Sequence, residues 1–462
     1  DTNGLLSATG TGVSGSGTKT LTLAGTLAQV NAALATLKDS DPTTPSDTIT
    51  LNATDSFGNV AAAKSVAVTV NGLPVTAAPA TVIAGVGKSL AIAGVSVSET
   101  GNTSSETFTV VLADTNGLLS ATGAGVSGSG TKSLTITGAL AAVNASLATL
   151  KDVDGTTGAD TITLATTDSF GNTAAAASVA VTVNGLPVLA VPATAVVGVG
   201  QPIPVNGLSL SETGNTTGET FTVTLADTNG LLSATGTGVT GSGTTNLTIA
   251  GTLAQVNTAL ASVTDNDPTT PSDTITLSAV DSFGNTTAAS TSVTVTVNGR
   301  PVIGSPAAAI IGVGQAALID GVSLSESGTS TGETFTVKLT DTNGLLSATG
   351  SAVSGSGTTS LTVSGSASQV NAALATLMDT DGTTPSDTIT LTALDSFGNA
   401  APTTTIAVTV NGLPVIAAPA SVVAGVGKSL AVAGLGLSES GNTTGETFKV
   451  VVADTNGVLS AT

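Results

Sequence analysis

Thr, Ser and Ala alternate with Val, Ile and Leu along most of this chain, in short stretches broken by Asn-Gly, Asp and Pro. In DTITLATTD (Asp160–Asp168), Ile162 and Leu164 fall on one side while Thr161 and Thr163 fall on the other. A period of two is the side-chain period of a strand with one face in a core. Read through Leu73–Gly185, the signal predicts seven strands, roughly 74–84, 88–97, 106–113, 118–122, 132–138, 160–168 and 173–183. DTNG (Asp114–Gly117) and DSFGN (Asp168–Asn172) are compact turn sequences between strands, and each predicts a hairpin. One segment breaks the alternation. In TLAQVNAALATL, Leu27, Val30, Leu34 and Leu37 share one helical stripe behind Thr26, a good N-cap residue. The expected fold class is all-β, a seven-stranded sandwich with one short crossover helix between the fifth and sixth strands.

The whole pattern recurs. DTNGLLSATG opens the chain, and its DTNG returns at Asp114, Asp227, Asp341 and Asp454, at spacings of 113, 113, 114 and 113 residues. That period suits one small autonomous domain and is far too long for a solenoid rung. VTVNG marks the expected boundaries at Asn71, Asn184, Asn298 and Asn411. The units are then 73–185, 186–299 and 300–412, with 1–72 the C-terminal part of a repeat and 413–462 the N-terminal part of another. The absence of an initiator Met and the equal phase of both ends read as a window from a longer array. The interval from Asp281 to Asn298 holds one residue more than its counterparts, which predicts a bulge or a longer last hairpin.

Composition narrows the chemistry. The chain has no Cys, His, Trp or Tyr, and its eight Phe occupy two positions per repeat. Thiol chemistry and the usual general base are therefore missing, and no enzyme is expected. Freedom from Cys fits a bacterial extracellular repeat stabilised by many small cores. A net charge of −20 opposes binding to nucleic acid or to an anionic membrane surface. No apolar run approaches the roughly 18 residues of a membrane helix, so no direct membrane insertion is expected. GVGKS (Gly85–Ser89) and GVSGSGT (Gly125–Thr131) hint at a phosphate loop, but Lys88 becomes Gln201 and Gln315 in later copies.

The acidic residues carry the remaining signal. All 30 except Asp320 fall at seven recurring positions, whereas basic positions drift: Lys151 becomes Thr264 and Met378. Duplication alone does not explain that contrast, and a hard cation with oxygen ligands would. The candidate ligands are Glu99, Glu106, Asp114, Asp152, Asp154 and Asp168, then Glu212, Glu219, Asp227, Asp265, Asp267 and Asp281, then Glu326, Glu333, Asp341, Asp379, Asp381 and Asp395. The D-x-D pairs, among them Asp39 and Asp41, place two like charges close together in a loop, where they repel unless solvated or neutralised. Topology puts DTNG, D-x-D and VNG at one pole and SETGN and DSFGN at the other, so carboxylates of neighbouring units could share an ion. The alternative is that these are turn aspartates serving local hydrogen bonds.

Taken together, GVSLSES, GETFTV, DTNGLLSATG, TLAQVNAALATL, DSFGN and VTVNG resemble the bacterial cadherin-like tandem repeats of giant surface adhesins. The resemblance runs through every repeat. It departs in the DSDPTTPSD loop, where relatives carry a longer tyrosine-containing segment. It implies a cadherin- or immunoglobulin-like sandwich, often with calcium, serving as a spacer. The expected function is a stalk or fibre segment of a large secreted or surface-attached protein, giving length and calcium-dependent stiffness. Its partners would be neighbouring repeats and other copies in an extracellular filament or biofilm matrix. A glycan- or protein-binding module and a surface-layer component are the alternatives. The binding module should show exposed aromatics or Arg, and this chain has one Arg, Arg300.

Overall fold

A computed structural model describes residues 1–42, 46–269, 272–383 and 386–461. Residues 43–45 of the DSDPTTPSD loop lie outside it. In the unit from Leu73, the main layer is a six-stranded sheet in the order Val126–Ser127, Ser133–Gly138, Phe108–Asp114, Gly158–Asp168, Ala177–Asn184, Thr81–Gly85. Every pairing is antiparallel except the last, where Thr81 to Gly85 run parallel to Ala180 to Asn184. The opposite layer is made of short pieces. Val75–Ala77 pairs with Ser96–Ser98, and Ser89–Ala91 pairs with Lys151–Val153. Phe108, Val110 and Leu112 of the sheet, Val97 of the short pieces, Ile92 and Val95 of the connection before it, and Val143 and Leu147 of the helix form one buried cluster. Two equivalent clusters lie further along the chain, from Leu189 to Val297 and from Ile303 to Val410.

The strand division is finer than the alternation predicts, for identifiable reasons. The expected strand 74–84 is two, Val75–Ala77 and Thr81–Gly85, with Pro79 between them. Lacking an N–H, proline cannot donate to a ladder, and here the chain leaves one partner and joins another. The expected strand 88–97 divides at Gly94, whose φ of +83° only glycine adopts cheaply. Segment 118–122 makes isolated bridges, Leu119 to Thr131 and Ser120 to Lys151. DTNG is therefore no hairpin: strand Phe108–Asp114 pairs with Ser133–Gly138 and Gly158–Asp168, and DTNG carries the chain from the large sheet to the short layer. DSFGN does turn between two adjacent antiparallel strands.

The helices are Leu27–Leu34, Leu140–Leu147, Leu253–Leu260 and Ala367–Leu374, so Leu37 falls past the first helix end. Thr26 accepts from the Gln29 N–H while Gln29 Oε1 accepts from the Thr26 N–H, closing a capping box. The extra residue near Asp281 leaves the ladder in register. Leu164 faces Ala177 and Leu277 faces Thr291, so the added residue sits in the connection before Thr291.

Candidate metal centres

The same alternation that builds the core builds the two acidic sites. In Phe108–Asp114 the buried side chains are Phe108, Val110, Leu112 and then Asp114. In Gly158–Asp168 they are Asp160, Ile162, Leu164, Thr166 and Asp168. Each core-facing row thus ends in a carboxylate, and one strand delivers Asp160 to one pole and Asp168 to the other.

At the first pole Asp114, Asp154 and Asp160 bring carboxylate oxygens within 4.8 Å of one another, as do Asp227, Asp265 and Asp267 in the next unit. Asp152 and Asp154 are only 0% and 1% exposed. Gly117, the glycine of DTNG, lies against this group: a Cβ there would stand 2.9 Å from oxygens of Asp114 and Asp154 and would collide with Asp152 Oδ1. Backbone N–H groups hold the rim. Gly117 donates to Asp114 Oδ1 at 2.7 Å, and Asn116, Gly117 and Thr161 donate to the Asp160 carboxylate at 3.1, 3.2 and 2.7 Å. Asp114 Oδ2 and both oxygens of Asp152 and Asp154 are buried without a partner.

Such crowding costs ionisation. Burial, reinforced by the charges of Asp114 and Asp154, pushes Asp152 up to about 8. Burial lifts Asp154 to about 6. Asp265 and Asp379 likewise rise to about 8. Burial also raises Asp160, but the neighbouring Asp114 side chain and hydrogen bonds from backbone N–H groups outweigh it and hold that carboxyl below its ordinary value.

The second pole gathers Glu99, Glu106 and Asp168, with Glu212, Glu219 and Asp281 in the following unit. Both Glu99 oxygens and Glu106 Oε1 are buried and partnerless. Burial, with Glu106 and Asp168 adding repulsion, raises Glu99 to about 7, and Glu212 and Glu326 reach about 8. One side chain enters from the preceding unit. Asn184 Nδ2 donates to Glu219 Oε2 at 2.9 Å and to the Asn215 carbonyl at 3.0 Å, while its Oδ1 accepts from the Asn215 N–H at 2.7 Å. Asn71, Asn298 and Asn411 make the same contact to Glu106, Glu333 and Glu446.

The predicted ligands therefore separate into two groups per repeat, and each group named here draws its carboxylates from a single unit. The reach across the boundary is made by an asparagine, and no carboxylates of neighbouring units meet in these groups. Sequence reasoning missed Asp160, Asp273 and Asp387 as members of the first group, although they recur with the same regularity as the rest. It also read the VNG asparagines only as strand ends. The donor set is all oxygen, which suits a hard cation needing six to eight such ligands. The partnerless oxygens are the atoms such an ion would take.

No family model matches the chain, and no curated protein does. Among solved structures it is similar to the I67–I69 fragment of titin, at 12% identity over 73% of this chain and 98% of that one, with a TM-score of 0.31. It is similar to the protocadherin GammaB4 extracellular domain, at 13% identity over 82% and 64% of the two chains and a TM-score of 0.21. Drosophila N-cadherin EC1-4 is a third, at 10% identity over 89% and 92%, with a TM-score of 0.20. These scores are low, and the architecture stands on the sheets themselves. The chain is a tandem array of β-sandwiches, each with one short helix.

Proposed function

We propose that this chain is a stalk segment of an extracellular, surface-attached bacterial protein, a string of sandwiches whose poles are braced by calcium. The units would run 73–185, 186–299 and 300–412, divided at the VNG asparagines. One observation carries the reading: both poles present buried carboxylate oxygens with no partner, in unit after unit. Buried groups are normally hydrogen-bonded, and a buried unpaired charge is among the costliest arrangements a fold can hold. A cation would supply the missing counter-charge.

At the first pole Asp114, Asp152 and Asp154 would hold the ion, with Asp160 kept ionised beside them by its backbone donors. At the second, Glu99, Glu106 and Asp168 would do so. Asn71 is hydrogen-bonded to Glu106, so ordering that glutamate would also order the preceding strand end. Sites of extracellular modules bind calcium with dissociation constants of about 10⁻⁴–10⁻³ M, which restricts loading to millimolar surroundings such as those outside a cell.

The test is calorimetric titration of the chain with calcium, paired with melting in calcium and in chelator. Heat of binding at millimolar calcium and a lower melting temperature in chelator are expected. Ion held at a hundredfold above its dissociation constant adds about 2.7 kcal/mol to the folded state. No heat and unchanged melting would leave the aspartates as turn-formers and overturn the reading.

A further inference from the structure

We propose that the GVG-[Lys/Gln] turn of each repeat is a socket for the DSFGN loop of the next, a latch that fixes the angle between successive repeats without any ion. The evidence is a repeated contact with built-in controls. Gly85 ends the edge strand Thr81–Gly85 and is buried, and a Cβ on it would lie 2.6 Å from both Phe283 Cβ and Asn285 Nδ2 of the following repeat. Gly198 stands in the same relation to Phe397 and Asn399, with 2.6 Å to Asn399 Nδ2. Neither glycine has a positive φ, so what the position requires is close approach. The fourth residue of the turn completes each contact. Lys88 Nζ donates to the Gly284 carbonyl at 2.7 Å, and Gln201 Nε2 donates to Asn399 Oδ1 at 3.2 Å. A lysine and a glutamine can both donate here, which accounts for a drift that a phosphate loop would not tolerate.

The unmatched halves behave as they should. Phe170 belongs to a repeat whose predecessor, residues 1–72, contains no GVG turn, and it is 71% exposed, whereas Phe283 and Phe397 are half-buried. Gly312 has no DSFGN loop opposite it. There a Cβ would meet only its own Gln315, and that glutamine is exposed. Asn172, without a socket, is half-buried, while Asn285 and Asn399 are 3% and 2% exposed. Burial of both the loop and the turn therefore follows the presence of the partner repeat.

The absence of cysteine makes the test direct. Spin labels at Ala141→Cys and Ala254→Cys, on exposed positions of successive helices, report the distance across the first complete junction, measured in chelator throughout. The parent chain is expected to give one narrow distance distribution. Gly85→Val and Phe283→Ala should each broaden it, with Gly85→Ala in between. Gly312→Val, placed where no loop stands, should melt like the parent, showing that the turn itself tolerates a side chain. A narrow, unshifted distribution in both Gly85→Val and Phe283→Ala would overturn the latch. So would a parent distribution that is broad in chelator and narrows only in calcium, and that result would leave the cation reading standing.

Discussion

Asp152 shows how a residue can oppose the fold that buries it. Its carboxyl is wholly enclosed and pushed up to about 8 by burial and by its acidic neighbours. In chelator the folded chain therefore holds protons at Asp152, Asp265 and Asp379 that the unfolded chain, with ordinary carboxyls near 4, releases. Where the folded state binds more protons, stability falls as pH rises. The metal-free melting temperature is thus expected to be highest near pH 4 and to decline through about pH 8, traced by melting curves at stepped pH. Saturating calcium should flatten that decline, because it takes the place of the protons. The neutral isostere separates the two states further. Asp152→Asn should raise the metal-free melting temperature at pH 8 by a few degrees. In millimolar calcium the same change should lower it and weaken binding at that site by about tenfold or more, read by calorimetry. A variant that shifts both temperatures alike would deny Asp152 a role as ligand.

Elements carry the clearest lesson about what a sequence displays. The helices were legible because cap and stripe agree: Thr26 and Thr252 precede Leu-Ala-Gln-Val-Asn, and both form capping boxes. The helix Leu140–Leu147 lacks that signal, with Ala139 at its N-cap and no side-chain hydrogen bond there. Ala139→Thr should supply the missing acceptor and stabilise that repeat by about 1 kcal/mol, measurable by denaturant titration of the chain. Strand neighbours were not legible. Alternation says which side chains face inward, but the pairing of Thr81–Gly85 with Ala180–Asn184 joins segments nearly a hundred residues apart. Pro79 and Gly94 were visible as residues, yet only a partner strand decides whether such a break ends a strand or transfers it. The acidic positions stood out by recurrence. Their division into two groups, and the membership of Asp160, depended on a strand long enough to span the unit from pole to pole.

On the scale of the whole molecule, one pairing decides how the array bears load. The edge strand Thr81–Gly85 lies near the start of its repeat, Ala177–Asn184 lies at the end, and the two run parallel through five matched residues. A pull on the array drags the first strand one way and the last the other, along their common axis. The five rungs are then loaded in shear, and they must fail together instead of peeling one after another. Single-molecule stretching is expected to show equal, high-force peaks, each releasing a whole repeat of 113 residues and lengthening the chain by roughly 350 Å. Val82→Pro, which deletes one donor from this ladder, should lower the peak of the first complete repeat and leave its neighbours at full strength. A string built this way would behave under tension as a chain of mechanical fuses of equal rating: overload lengthens it one repeat at a time, and each repeat that opens spares the others.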